Sequence, residues 1–194
     1  MGIERLRTSV QDFVRLVEAT ASEASILAEG RGILARLIAQ DDWLPDFAAQ
    51  PDQKYYRQYL LYCDPLERFS MVSFVWGPGQ MTPIHNHTVW GLVGVLRGQE
   101  SARRFIEKDD GSLEAAAWET MFPGDIDVVS PEHGDVHQVA NALADRPSIS
   151  IHVYGANIGA VERAVFDPLT GQSKPFISGY SNALVPNLWS GQQS

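Results

Sequence analysis

The chain has 194 residues, 44% of them hydrophobic and 20% charged, with a formal charge of -9, a balance that suits one folded domain with a sizeable core. This acidity argues against a nucleic-acid partner, which needs clustered Lys and Arg for phosphate. The longest apolar runs, such as Val89 to Leu96, fall far short of the roughly 20 residues that span a bilayer, so no membrane partner is expected. The lone cysteine, Cys63, excludes an internal disulfide and any Cys-rich metal site. It is expected to be a small packing residue, and any metal must be held by His, Asp or Glu.

The N-terminal MGIERLRTSVQDF is amphipathic and carries acids, without the apolar core of a secretory leader, so the protein is expected to be cytoplasmic. Residues 3–49 read as helical. Leu6, Val10, Phe13, Val14 and Val17 recur at three- and four-residue spacing, as do Ile33, Leu34, Leu37 and Ile38, which predicts two amphipathic helices. Ser22 to Glu29 is placed to start the second, and Gly30 and Gly32 are expected to weaken or break it. Trp43, Leu44 and Phe47 suggest a short third turn packed on the body.

From about Tyr55 the pattern becomes β-rich. Phe69–Trp76, Val89–Leu96, Ser101–Ile106, Ala117–Phe122, Ile126–Val129, His137–Ala140 and Ser148–Tyr154 are short runs separated by Gly, Pro, Asp and Asn, the pattern of a sandwich or barrel. After Phe166 the chain, with Pro168, Gly171, Pro175 and Gly179, reads as an irregular arm wrapping the surface. The expected organisation is therefore a helical cover (1–50), a β-barrel (51–166) and a C-terminal arm (167–194), all within one domain. The oligomeric state stays open, a homo-oligomer included.

Chemistry gathers at MTPIHNHTVWGLVGVLRG, where His85 and His87 are one residue apart. On a strand, positions i and i+2 face the same side. Two imidazoles on one face are poor packing but make half of a site for a divalent metal. Gly79, five residues, His85-Asn86-His87, three residues, Gly91, six residues and Gly98 resemble the first cupin motif, with Gly91 where that motif usually has a ligating Glu. Gly124, six residues, Pro131, two residues, Gly134, two residues, His137, three residues and Asn141 resemble the second, with two gaps each one residue longer than usual. The resemblance covers about residues 55–160 and implies an all-β cupin barrel, a double-stranded β-helix or jelly roll, with His137 as third ligand. His133 competes for that role but reads as an exposed turn histidine, and His152 is a further alternative ligand.

In Ser148-Ile149-Ser150-Ile151-His152-Val153-Tyr154 the residues Ser150, His152 and Tyr154 share one face and can form a relay from hydroxyl to imidazole to phenol. The other face is apolar and suits the helical cover. The three histidines followed by Ser150-x-His152-x-Tyr154 resemble the thiol dioxygenases, the cysteine dioxygenase group of cupins. That likeness implies Fe(II) bound by His85, His87 and His137, and a Tyr154 phenol held by His152 and Ser150 near substrate and O2. Its animal members carry a cysteine crosslinked to the relay tyrosine; Gly91 stands there instead. YYRQYLL is similar to a bacterial branch that has Gln where those enzymes use Arg for the substrate carboxylate, and that prefers 3-mercaptopropionate to cysteine. Gln58 or Arg57 fills that place according to which tyrosine is aligned, and Arg163 is the preferred cation for a buried carboxylate, with Arg57 in reserve. The expected reaction is oxidation of a small thiol carboxylate to its sulfinate by O2. Trp76 and Trp90 are candidate pocket walls or core aromatics. A cysteine dioxygenase proper, a zinc cupin isomerase and a non-catalytic binding barrel are the rival readings.

Overall fold

A computed structural model describes residues 2–108, 111–132 and 134–190; His133 falls outside them. Two helices, α1 (Ile3–Ala19) and α2 (Glu23–Ile38), and a 3-10 turn at Asp46–Ala49 precede the strands. Ser22 caps α2 by accepting from the Ser25 amide at 3.4 Å, satisfying one otherwise free donor of the first turn. Among the described residues no helix is long and apolar enough to cross a membrane.

Contrary to the sequence expectation, α2 runs unbroken through Gly30 and Gly32. A helical glycine costs about 1 kcal/mol relative to Ala. Each fully buried aliphatic side chain returns roughly 1.5–3 kcal/mol, and α2 buries Ile26, Leu27, Ile33, Leu34, Leu37 and Ile38. Gly30 also lies tight against its neighbours: a Cβ there would lie 3.0 Å from both Leu92 Cδ1 and Phe13 Cε1. Packing wins over propensity.

The strands are β1 (Arg57–Cys63), β2 (Ser70–Trp76), β3 (Ile84–His85), β4 (Gly91–Arg97), β5 (Glu100–Glu107), β6 (Leu113–Ala115), β7 (Glu119–Met121), β8 (Ile126–Val129), β9 (His137–Asn141), β10 (Ser148–Tyr154), β11 (Arg163–Phe166) and β12 (Ser173–Phe176). They pair antiparallel in two sheets, one ordered β1-β2-β10-β4-β8 and the other β12-β11-β3-β9-β5-β6, with β7 beside β5. The sheets close face to face as a cupin barrel around Val72, Phe74, Trp76, Ala102, Val129, Val139 and Tyr154. A second core lies between the helices and the outer face of the first sheet, where Leu6, Phe13, Leu34 and Leu37 meet Met71, Val75, Leu92 and Leu96.

The two cores explain the composition of the central strands. Strand β10 sends Ile149, Ile151 and Val153 to the helical cover and keeps Ser150, His152 and Tyr154, all at most 3% exposed, inside the barrel. Strand β2 is buried on both faces, hence its continuous apolar run. Trp90 belongs to the outer core and Trp76 to the inner one. Cys63 is half-buried, and burial pushes its thiol pKa up, away from a reactive thiolate. The C-terminal arm is not wholly irregular: Ser173–Phe176 forms β12 and pairs with β11.

Candidate metal centre

His85 lies on β3 and faces His137, the first residue of β9, directly across the ladder. His87 falls beyond β3, so strand alternation alone does not aim it. A side chain 48 residues away does: Asp135 Oδ1 accepts from the His87 amide at 2.9 Å and from His87 Nδ1 at 3.0 Å, and Oδ2 accepts from the Thr88 amide at 2.8 Å. Thr88 takes a φ of 61° there, an uncommon conformation for a β-branched residue and one that needs such over-determined surroundings.

The three imidazole centroids form a triangle with 4.8 Å sides, and one nitrogen of each ring lies within 4.8 Å of the others. Two tautomers are dictated by acceptor-only partners. His85 Nδ1 donates to the Pro83 carbonyl at 3.1 Å and His87 Nδ1 to Asp135, which leaves both Nε2 lone pairs free. Among the described residues His87 Nε2 is buried with no partner, and so is His137 Nδ1. Burial and then the neighbouring His87 lower the His85 pKa to about 3, and the same two causes, in the same order, hold His137 well below its ordinary value. Burial works to raise the Asp135 carboxyl, but its bonds from His87 and Thr88 outweigh that and leave it below the carboxylate range. Three imidazoles whose nitrogens converge within 4.8 Å, His85 and His137 held neutral by burial and a carboxylate behind the third, fit a divalent transition metal.

Beside this triangle runs the relay. Ser150 Oγ is 2.8 Å from His152 Nε2, and His152 Nδ1 is 2.7 Å from the Tyr154 hydroxyl. Phe74 stacks on His152 with centroids 4.1 Å apart, and Tyr154 stacks on His87 at 5.4 Å. His152 is therefore engaged at both nitrogens and lies outside the ligand set. Burial raises the Tyr154 pKa, against the opposing pull of Arg163, so the phenol keeps its proton across the neutral range.

Register separates the carboxylate candidates. Gln58 pairs with Phe74, whose ring is inside the barrel, whereas Arg57 pairs with Val75 on the outer face. Arg57 forms an ion pair with Asp52 at 2.5 Å and stays partly exposed. Arg163 is 6% exposed; its Nη2 donates to Ser178 Oγ at 2.7 Å, while its Nε has no partner among the described residues. Gln58 Nε2 reaches the Ser178 carbonyl at 3.4 Å, so both side chains meet the C-terminal arm at one residue. Asp135, Phe74 and Ser178 were not singled out by sequence reasoning. Only Asp135 left a trace there, two residues before His137.

The sequence pattern described as cysteine dioxygenase type I matches residues 6–164. The chain belongs to the cysteine dioxygenase type I family. Membership makes it a dioxygenase of the metal-dependent cupin class. Solved structures similar to parts of the chain include an uncharacterized conserved protein with a double-stranded β-helix domain from Klebsiella pneumoniae. It is 19% identical with a TM-score of 0.48, over 62% of this chain and 94% of that one. A cupin 2 domain-containing protein from Halorhodospira halophila is 18% identical with a TM-score of 0.42, over 61% of this chain and 74% of that one.

Gly91 packs directly against the relay tyrosine. A Cβ at Gly91 would lie 2.7 Å from Val129 Cγ2, and 2.8 and 3.0 Å from Tyr154 Cδ1 and Cε1. Contacts this short require something to move, and protein interiors are packed at close to the density of organic crystals. Gly91→Ala is expected to push the Tyr154 ring off its seat on His87 and lower kcat at least tenfold, with KM less affected, by steady-state oxygen uptake. A variant with wild-type kcat would show that Val129 yields instead.

Proposed function

We propose that this chain is a cytoplasmic non-haem Fe(II) thiol dioxygenase that converts 3-mercaptopropionate and O2 into the corresponding sulfinate. Both oxygen atoms end on sulfur, so thiol and O2 balance the product without a further reductant. His85, His87 and His137 would hold the iron, which when bound supplies a Lewis-acidic, redox-active centre for thiolate and O2. The observation that carries this reading is the convergence of three buried histidines, one nitrogen of each within 4.8 Å of the others, directly beside a protonated tyrosine that a relay holds in place.

The remaining roles follow from the side chains. Tyr154 is a buried donor kept protonated, suited to hydrogen-bond the oxygen or sulfur that gains charge during reaction. Arg163 carries a buried positive charge with a spare N–H, the partner a substrate carboxylate needs once stripped of water. Gln58, on the barrel's inner face, is a neutral second contact. The 3-mercaptopropionate reading, over cysteine, rests on Gln58 rather than Arg57 facing inward and on Arg57 being engaged by Asp52.

Oxygen uptake by Fe(II)-loaded protein, measured over concentration series of 3-mercaptopropionate and L-cysteine, tests this. The expected result is sulfinate formation with kcat/KM much higher for 3-mercaptopropionate. A preference for cysteine would make the chain a cysteine dioxygenase proper, and no uptake with either thiol would sink the thiol dioxygenase reading. Tyr154→Phe should lower kcat about 10²-fold or more at unchanged iron content, the usual size of a positioned proton donor's effect. A binding barrel would be indifferent.

A further inference from the structure

Glu100, the first residue of β5, is a carboxyl with no solvent exposure, and among the described residues neither of its oxygens has a hydrogen-bond partner of ordinary geometry. Its strand neighbour two positions on, Ala102, lies in the inner core, so Glu100 points into the barrel. It faces the far end of the relay: the Ser150 and Ser148 hydroxyls from β10 and the Trp76 indole from β2 are the groups that act on it. Its ladder partners are Asn141 on β9 and Met121 on β7, and the Asn141 amide is spent on the Trp76, Gly77 and Arg146 carbonyls. No charged side chain acts on it among the described residues. Burial raises its pKa to about 8 against the pull of Ser150, Ser148 and Trp76. The Ser148 hydroxyl is itself buried without a partner among the described residues.

Hydrogen counting shows what this placement does. A neutral imidazole has one N–H and a hydroxyl has one proton and two lone pairs. Trp76 Nε1 already donates to Ser150 Oγ at 3.3 Å. If Ser150 donates its hydrogen bond to His152 Nε2, then His152 Nδ1 carries the imidazole hydrogen and donates to Tyr154, whose own O–H stays free for the metal site. If Ser150 instead donates its hydrogen bond to Glu100, His152 Nε2 must donate to Ser150, and Nδ1 accepts from the Tyr154 hydroxyl. The phenol then has no hydrogen left for substrate. A neutral carboxyl can donate to Ser150 and selects the first arrangement; a carboxylate can only accept and selects the second.

We propose that Glu100 is a positioning residue that extends the relay to Glu100–Ser150–His152–Tyr154 and sets the direction in which its hydrogen bonds run. It touches neither substrate nor metal. The inference rests on Tyr154 serving a thiol dioxygenase. With the neutral acid active, kcat should hold at pH 6–7 and fall as pH rises past about 8, where Glu100 ionises and the chain reverses.

The test compares the pH profiles of kcat and KM for iron-loaded wild type, Glu100→Gln and Glu100→Leu with 3-mercaptopropionate. The Gln amide donates at every pH, so Glu100→Gln should keep kcat within a few-fold at pH 7 and lose the alkaline fall. Glu100→Leu should lose about tenfold or more in kcat with KM little changed. Wild-type pH profiles in both variants would overturn the proposal. If the Leu variant does not fold, the Gln profile alone decides. An infrared carbonyl band of neutral carboxylic acid, present at pH 7, absent in Glu100→Gln and shifted by Ser150→Ala, provides a readout independent of turnover. Wild type inactive on every thiol would refute the dioxygenase reading alone; a missing or unshifted band would refute the Glu100 contact alone.

Discussion

Substituting His87 with alanine is expected to abolish iron retention and oxygen uptake together while leaving the barrel folded. His87 holds one of the unused lone pairs, and its other nitrogen is fixed by Asp135, so its loss removes a ligand and strands a carboxylate. Metal bound only to the native state stabilises it by mass action. Wild type should therefore gain Tm when Fe(II) is added anaerobically and His87→Ala should not, with iron content below a tenth of wild type and turnover down by at least 10³-fold. Asp135→Asn retains the ligand and weakens its support, and should lower metal affinity about 10- to 100-fold. A His87→Ala protein that still binds one iron and turns over would remove His87 from the ligand set.

The second large effect is expected at Arg163. Arg163→Leu removes the buried cation whose Nε is unpartnered, and truncating one side of a buried charge pair costs about 2–5 kcal/mol. The expected loss in kcat/KM for 3-mercaptopropionate is about 10²–10³-fold, most of it in KM. A thiol without a carboxylate should be turned over equally poorly by wild type and variant, which separates substrate binding from damage to the barrel. Equal losses on both thiols would mean that Arg163 supports the arm through Ser178 and does not grip substrate. The Arg57→Leu variant, losing a half-exposed ion pair to Asp52, should change kcat/KM little.

Local alternation carried much of this into the sequence. Ser148–Tyr154 and Ile126–Val129 match β10 and β8 residue for residue, because each face of those strands is wholly buried or patterned and the ends are marked by turn residues. The three histidines were legible from the cupin-like spacing of glycines and proline around them. Other parts depend on contacts between distant residues. Strand β3 has two residues, too few to show a period, and His87 is aimed by Asp135 across 48 positions. Whether Arg57 or Gln58 faces inward is a matter of register with β2, and register is a property of two strands. The arm's β12 has a burial pattern that is mostly exposed, so no hydrophobic alternation announced it. The break expected at the glycines of α2 does not form because propensity is local, whereas the contact of Gly30 with Leu92 and Phe13 is not.

Strand β10 is flanked on both sides by β2 and β4, and its alternation serves two masters. A slip of one residue against either neighbour would turn Ile149, Ile151 and Val153 into the barrel and bury Ser150, His152 and Tyr154 under the helices. Each polar group stranded there without a partner costs about 1–3 kcal/mol, so three together approach the whole stability of a small domain. The groups that equip the strand for chemistry thereby also proofread its threading: a chain folded one residue out of frame would lose both its site and its reason to stay folded.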